Sequence, residues 1–266
     1  EAAVALMNGK PGEPASFDAL DGLLEAQAYR LAYWRVAVDE INYRRFFDVN
    51  DLAALRMNEE EVFAATHRLI FELIAAGKID GLRIDHSDGL YDPQAYFERL
   101  QRQFAGDSAP GAKPLYVVTE KILASHERLP ESWQVYGTTG YEFAGLITAW
   151  LVCGDNEARL TRRYRQFTET AESFDQIAYE SKKLVMRAAL AAEVEVLATQ
   201  LDRIAQLDRR TADFTRPAMR DALTEVIACF PVYRTYISQR GVGEEDRRTV
   251  HWALGVARRR SAAAAL

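Results

Sequence analysis

Cysteine is nearly absent from this chain: Cys153 and Cys229 are the two in 266 residues. Two distant thiols in apolar settings make neither a disulfide framework nor a metal-ligand pattern, and they read as small buried hydrophobes. Histidine is almost as sparse, with four residues, and His67, His126 and His251 lack the spacing of a metal site. Positive charge is also in short supply. The 33 basic residues against 39 acidic ones leave a net charge of −6. A phosphate-binding surface needs a basic face, so a nucleic-acid partner is disfavoured. No apolar run approaches the roughly 18 residues of a membrane helix. No secretory leader is visible, and a cytoplasmic location is the default expectation. Neither strand identified below is followed by a glycine-rich phosphate loop, and no serine or cysteine stands in a nucleophile elbow.

Apolar residues make up 48% of the chain, enough for a real core. Three stretches differ in character. Residues 1–57 begin with loop chemistry between positions 8 and 22 (Gly9, Pro11, Gly12, Pro14, Gly22). They continue with aromatics alternating with arginines: Tyr29, Arg30, Tyr33, Trp34, Arg35, Tyr43, Arg44, Arg45, Phe46 and Phe47. Such a segment is either a packed lid, its arginines paired to acids such as Asp39 and Glu40, or a sugar-binding surface. Composition alone leaves both open, because pocket walls and cores both favour aromatics.

Residues 58–150 are sharper. Asn58 with Glu61 reads as a capping-box variant. Val62, Phe63, Thr66, Leu69, Ile70, Leu73 and Ile74 recur at helical spacing. Gly77 supplies a left-handed stop, and a strand is expected over Ile79–Asp85. Asp92-Pro93 then opens a helix with the apolar stripe Tyr96, Phe97, Leu100 and Phe104, closed by Gly106. After a loop over Asp107–Lys113, a second strand is expected over Leu115–Glu120. Helix, strand, helix, strand with short connections implies an α/β sheet of parallel strands with right-handed crossovers, either in a closed eight-stranded barrel or in an open doubly wound sheet. Residues 151–266 read as a helical packing module. A seam is expected at Leu190, Val194, Leu197, Leu201 and Ile204, one helix between Pro217 and Pro231, and another over Glu244–Arg259.

Two carboxylates end the two strands: Asp85 in Gly81-Leu82-Arg83-Ile84-Asp85-His86, and Glu120 in Leu115-Tyr116-Val117-Val118-Thr119-Glu120-Lys121. A nucleophile and an acid on successive parallel strands suit a retaining sugar-cleaving site, where the pair sits about 5–5.5 Å apart. Arg83 shares the strand face of Asp85 and favours its charged form. Burial at the end of an apolar strand is expected to keep Glu120 protonated. Lys121 is expected on the opposite face, unless the chain turns and carries it to the sugar. His86 either bonds a sugar hydroxyl or caps the loop. An Arg-Asp pair ending a strand is also a common structural device, and residues alone do not separate the two readings.

The stretch Gly81-Leu82-Arg83-Ile84-Asp85-His86-Ser87-Asp88-Gly89-Leu90 resembles the nucleophile motif of the alpha-amylase superfamily of glycoside hydrolases. Its wording after the strand is like that of the maltooligosyltrehalose synthase family. Tyr29 to Trp34, Ile41 to Asp48, Gly137 to Phe143 and Phe230 to Tyr236 resemble the same family. The resemblance implies part of a (β/α)8 TIM-type barrel with a large helical insertion, mostly helical overall. It implies that the reducing-end α-1,4 linkage of a maltooligosaccharide becomes α,α-1,1, with Asp85 as nucleophile and Glu120 as acid and then base. It places Arg83, His86, Lys121, Tyr29, Tyr43 and Arg44 among substrate-binding residues. The chemistry runs on carboxylates and needs neither cofactor nor metal. The family's Asp-Asn-His strand and third catalytic aspartate have no match here, which implies a piece from the middle of the enzyme, inactive alone. An amylase-type hydrolase and a non-catalytic helical or carbohydrate-binding module are the alternatives.

Overall fold

A computed structural model describes Val4 and residues 7–43, 45–105 and 113–264 of the chain. Arg44, Gly106 and the loop up to Ala112 lie outside the described residues. The first stretch is more regular than its glycines and prolines imply: a short 3-10 turn over Pro14–Phe17 leads into α1, Asp18–Glu25. After a short helix α2, Ala37–Glu40, the strands β1 (Arg45–Phe46) and β2 (Val49–Ala53) form a small antiparallel hairpin. Arg45 is buried, and its guanidinium reaches Glu193 at 2.8 Å. Arg30 pairs with Glu40 at 2.5 Å, the kind of arginine–acid pair expected of a packed lid. Both side chains are largely exposed, and so are Tyr29, Tyr33 and Trp34, so the segment is not packed as such a lid would be.

The next stretch builds the sheet. Helix α3 is Glu60–Ala75. Its N-cap is Glu59, without a side-chain cap bond, so Asn58 does not close the foreseen box; its amide bonds Glu59 instead. The end is as foreseen. Gly77 has φ +64°, and the amides of Gly77 and Lys78 bond the carbonyls of Ile74 and Leu73, which is a Schellman stop. Strand β3, Gly81–Ile84, follows, then α4, Pro93–Ala105, capped by Asp92 Oδ1 on the Ala95 amide at 2.9 Å. Strand β4 is Tyr116–Thr119 and β5 is Gly137–Thr138. The three strands are parallel and lie in chain order, β3 against β4 and β4 against β5. Strand β5 is two residues long, too short for any alternation to reveal it.

One face of this sheet is dry. Phe63 from α3 and Tyr96, Phe97 and Leu100 from α4 pack with Leu115, Val117, Trp133 and Val135, and Leu82 and Ile84 lie against them. Each fully buried aromatic or aliphatic side chain here contributes about 1.5–3 kcal/mol. The buried amide of Gln101 bonds both the N–H and the carbonyl of Leu115 and the carbonyl of Gln134, tying α4 to the strand edges. The other face carries Arg83, Asp85 and Tyr116, all exposed.

The remainder is helical: α5 (Tyr141–Trp150), α6 (Glu157–Thr168), α7 (Phe174–Ala188), α8 (Ala191–Ala205), α9 (Arg216–Ala228) and α10 (Glu244–Ala264). Met186, Val194 and Ala228 form its buried cluster. The foreseen seam on α8 is buried only in part: Val194 is buried and Leu190 and Leu201 are half-buried, whereas Leu197 and Ile204 are exposed. Ala192, Ala198 and Ala205 are buried instead, and such small side chains let neighbouring helices approach. Cys153 is exposed and Cys229 half-buried, so neither thiol is the fully buried hydrophobe expected. Along α5 every residue is exposed, Phe143, Leu146 and Trp150 included. Among the described residues no helix is long and apolar enough to cross a membrane.

Candidate active site

Register brings the two acids together. In the β3–β4 pairing Arg83 lies beside Val118 and Ile84 beside Thr119. The Glu120 amide then bonds the Ile84 carbonyl at 2.8 Å. One residue further, Asp85 and Glu120 leave adjacent strand ends on the same, open face. Arg83 Nη1 donates to Asp85, and Arg83 Nη2 lies 3.7 Å from Glu120 Oε2. Each acid is therefore in contact with the same guanidinium. The hydrogen bond from Arg83, and then one from the Glu120 carboxyl, hold the Asp85 carboxyl below its ordinary range. An aspartate held ionised on the same face as a second carboxyl is the pairing a double displacement uses.

Glu120 has two further partners. The His86 amide donates to Oε2 at 2.8 Å, and the Tyr141 hydroxyl to Oε1 at 3.2 Å. His86 can do this because it sits in the left-handed region at φ +45°, an uncommon conformation for a residue with a side chain. Its ring lies against Phe46, Phe47 and Tyr233, with centroids 5.6, 5.4 and 6.1 Å away. Gly89 completes the packing: a Cβ there would meet the imidazole Cδ2 at 2.5 Å, and the aromatic collar leaves the ring little room to retreat.

The side chain of Asp85 is 67% exposed and that of Glu120 25%. The described residues thus offer the pair on an open face, not in an enclosed hollow. Tyr29 and Tyr43 are exposed; Arg44 lies outside the described residues. Lys121, foreseen among the sugar-binding groups, does not reach the open face. The chain keeps its strand alternation past Thr119, and the ammonium is fully enclosed, 3.2 Å from Asp88 and 2.7 Å from Glu127.

Sequence reasoning did not assign Tyr141 or Tyr233 to the site, and it placed Phe46 and Phe47 only within a segment read as either a packed lid or a sugar-binding surface. All four lie in stretches that resemble one family, and that was the available signal. Periodicity could not have found them, since none belongs to a regular stripe.

No protein-family model matches the chain. A curated protein of Mycobacterium tuberculosis named putative maltooligosyl trehalose synthase is 32% identical over 210 residues, 79% of this chain and 25% of its own length. The chain therefore spans about a quarter of the curated relatives it matches. Among solved structures, maltooligosyltrehalose synthase from Arthrobacter ramosus is 33% identical, with a TM-score of 0.71 over 93% of this chain and 29% of that one. A hypothetical maltooligosyl trehalose synthase of Sulfolobus tokodaii is 29% identical, with a TM-score of 0.68 over 92% of this chain and 30% of that one. In sequence and in the course of its backbone, this chain is similar to the maltooligosyltrehalose synthases, the family that its motifs resemble.

Proposed function

We propose that these residues carry the nucleophile and the acid of a (1→4)-α-D-glucan 1-α-D-glucosylmutase, acting on maltooligosaccharides within a (β/α)8 barrel of which β3 to β5 are part. The observation that carries the proposal is the shared face: Asp85 and Glu120 leave neighbouring parallel strands in register and contact one guanidinium. An Asp85 oxygen attacks the anomeric carbon next to the terminal glucose. The C1–O4 bond breaks as Glu120 gives its proton to O4. The freed glucose turns over, and its anomeric O1 attacks C1 while its proton returns to Glu120 and the bond to Asp85 breaks. Bonds and protons balance, and the net change is an isomerisation.

Arg83 holds Asp85 charged through the first step. His86 and Tyr141 fix the Glu120 carboxyl. Phe46 and Phe47 close against His86 on one side, the part of the aromatic segment that supports a water-excluding role. Tyr29, Tyr43 and Arg44 are proposed for glucose binding on the resemblance alone. Since the chain spans a quarter of its curated relatives' length, the activity is that of the whole protein to which these residues contribute.

The exposure of Asp85 favours one second reading, an amylase-type hydrolase in which water replaces glucose as acceptor. The full-length protein incubated with maltopentaose decides. Loss of the reducing end at unchanged mass is the expected result. Shorter chains with persisting reducing sugar assign hydrolysis. Asp85→Asn is expected to lower kcat on the order of 10⁴-fold or more, and Glu120→Gln about 10²–10⁴-fold. Wild-type rates in both variants exclude Asp85 and Glu120 as the catalytic pair and return these residues to a non-catalytic helical or carbohydrate-binding module.

A further inference from the structure

Lys121 has a side chain with no exposed surface, and the carboxyl groups it contacts, Asp88 and Glu127, are each 10% exposed. Three separate stretches meet there. Asp88 lies in the 3-10 turn Ser87–Gly89, directly after the left-handed His86. Glu127 comes from the loop after β4, where its second oxygen accepts the Ala124 amide at 3.1 Å. The third stretch follows α9. The Tyr236 hydroxyl donates to the remaining Asp88 oxygen, and Arg234 Nη1 donates to the carbonyls of Asp88 and Leu90 at 2.9 and 2.6 Å. Burial, and then the bond to Asp88, hold the Tyr236 phenol far above its ordinary range, so it remains a donor.

We propose that Lys121 is a positioning residue whose enclosed ammonium, gripped by Asp88 and Glu127, sets the distance between Asp85 and Glu120. The inference rests on the catalytic reading above and extends it to residues that never touch the sugar. The geometry is direct. Lys121 follows Glu120, and alternation sends their side chains to opposite sides, so pinning one fixes where the other emerges. Asp88 pins the turn whose His86 amide bonds Glu120 Oε2, and the Ser87 hydroxyl bonds the Glu120 carbonyl at 3.3 Å. A single cation thereby holds both post-strand loops at once. Arg234 and Tyr236 brace the same turn from behind, which gives the segment Phe230 to Tyr236 a role in the site. Core filling does not explain the cluster, because buried ion pairs are commonly replaced by apolar side chains at no loss of stability.

The test uses the full-length protein, with Lys121→Met and the milder Tyr236→Phe, which keeps the ion pair. Activity on maltopentaose and backbone hydrogen exchange are both read. Lys121→Met is expected to lower kcat about 10²-fold with KM within about threefold, and Tyr236→Phe to lower it less. Exchange is expected to speed up over residues 84–90 while residues 116–119 keep their protection. Unchanged kcat in Lys121→Met, unchanged exchange over 84–90, or equal acceleration in both segments overturns the proposal. Should Lys121→Met not fold, the same readouts on Tyr236→Phe decide. A wild-type protein that leaves maltopentaose untouched overturns the enzymatic reading instead, and the exchange comparison still decides on the positioning role.

Discussion

Arg83 touches both acids, but unequally. Its hydrogen bond to Asp85 is the first cause of that carboxyl's low range, and Asp85 is in turn the first cause of the raised guanidinium. A group held below its ordinary value stays ionised to lower pH and loses its charge only as pH falls through that depressed value. Arg83→Gln removes the first cause, so Asp85 titrates higher, and the acid limb of kcat/KM is expected to move to higher pH. The loss of a charge-assisted bond should also lower kcat/KM at neutral pH by about ten- to a hundredfold. A pH profile whose acid limb stays in place in this variant would contradict Asp85 as the ionised partner. This pairing was legible beforehand, because Arg83 and Asp85 are two apart on a strand and must share a face. The partners of Lys121 were not legible. They lie in irregular loops and in a segment more than a hundred residues away, and no periodicity connects those.

At the scale of elements, the buried face of α3 hides a titratable group. His67 is buried between Phe63 and Tyr96. Its Nδ1 donates to the Phe63 carbonyl at 2.9 Å, and its Nε2 lies 2.8 Å from the Tyr96 hydroxyl. Burial lowers its pKa, so the folded protein binds this proton less readily than the unfolded chain does. The stabilising contribution of neutral His67 is therefore complete above about pH 6.5 and is lost as pH falls through the lowered value. Thermal unfolding midpoints are expected to fall on acidification below that point, and His67→Gln to flatten the fall; equal slopes in both proteins would exclude His67 as its source. The elements read well from sequence were those with a stripe or a punctuating residue, as with the Gly77 stop and the Asp92 cap. Helices α5 and α6 escaped for different reasons. Tyr141–Trp150 is apolar nearly all round and lacks the one-sided pattern by which a surface helix is recognised, whereas Glu157–Thr168 does carry Leu160, Tyr164 and Phe167 at helical spacing, a stripe that was there to be read.

At the scale of the molecule, the site draws on three sequence-distant stretches: the hairpin tip at Phe46 and Phe47, the two strand ends, and the segment after α9 with Tyr233, Arg234 and Tyr236. Hydropathy could separate a sheet-forming middle from a helical remainder. It could not show that the remainder reaches back to brace the nucleophile's loop, since that depends on side chains meeting across about 146 positions. The resemblance of Phe230 to Tyr236 to a known family was the one sign of it. The water-facing apolar row of α5, with Trp150 at 83% and Leu146 at 70% exposure, has a colloidal consequence. Light scattering from a solution of the 266-residue chain is expected to climb with protein concentration and to climb faster in ammonium sulfate. Replacing Leu146 and Trp150 together by lysine should keep the same solution clear.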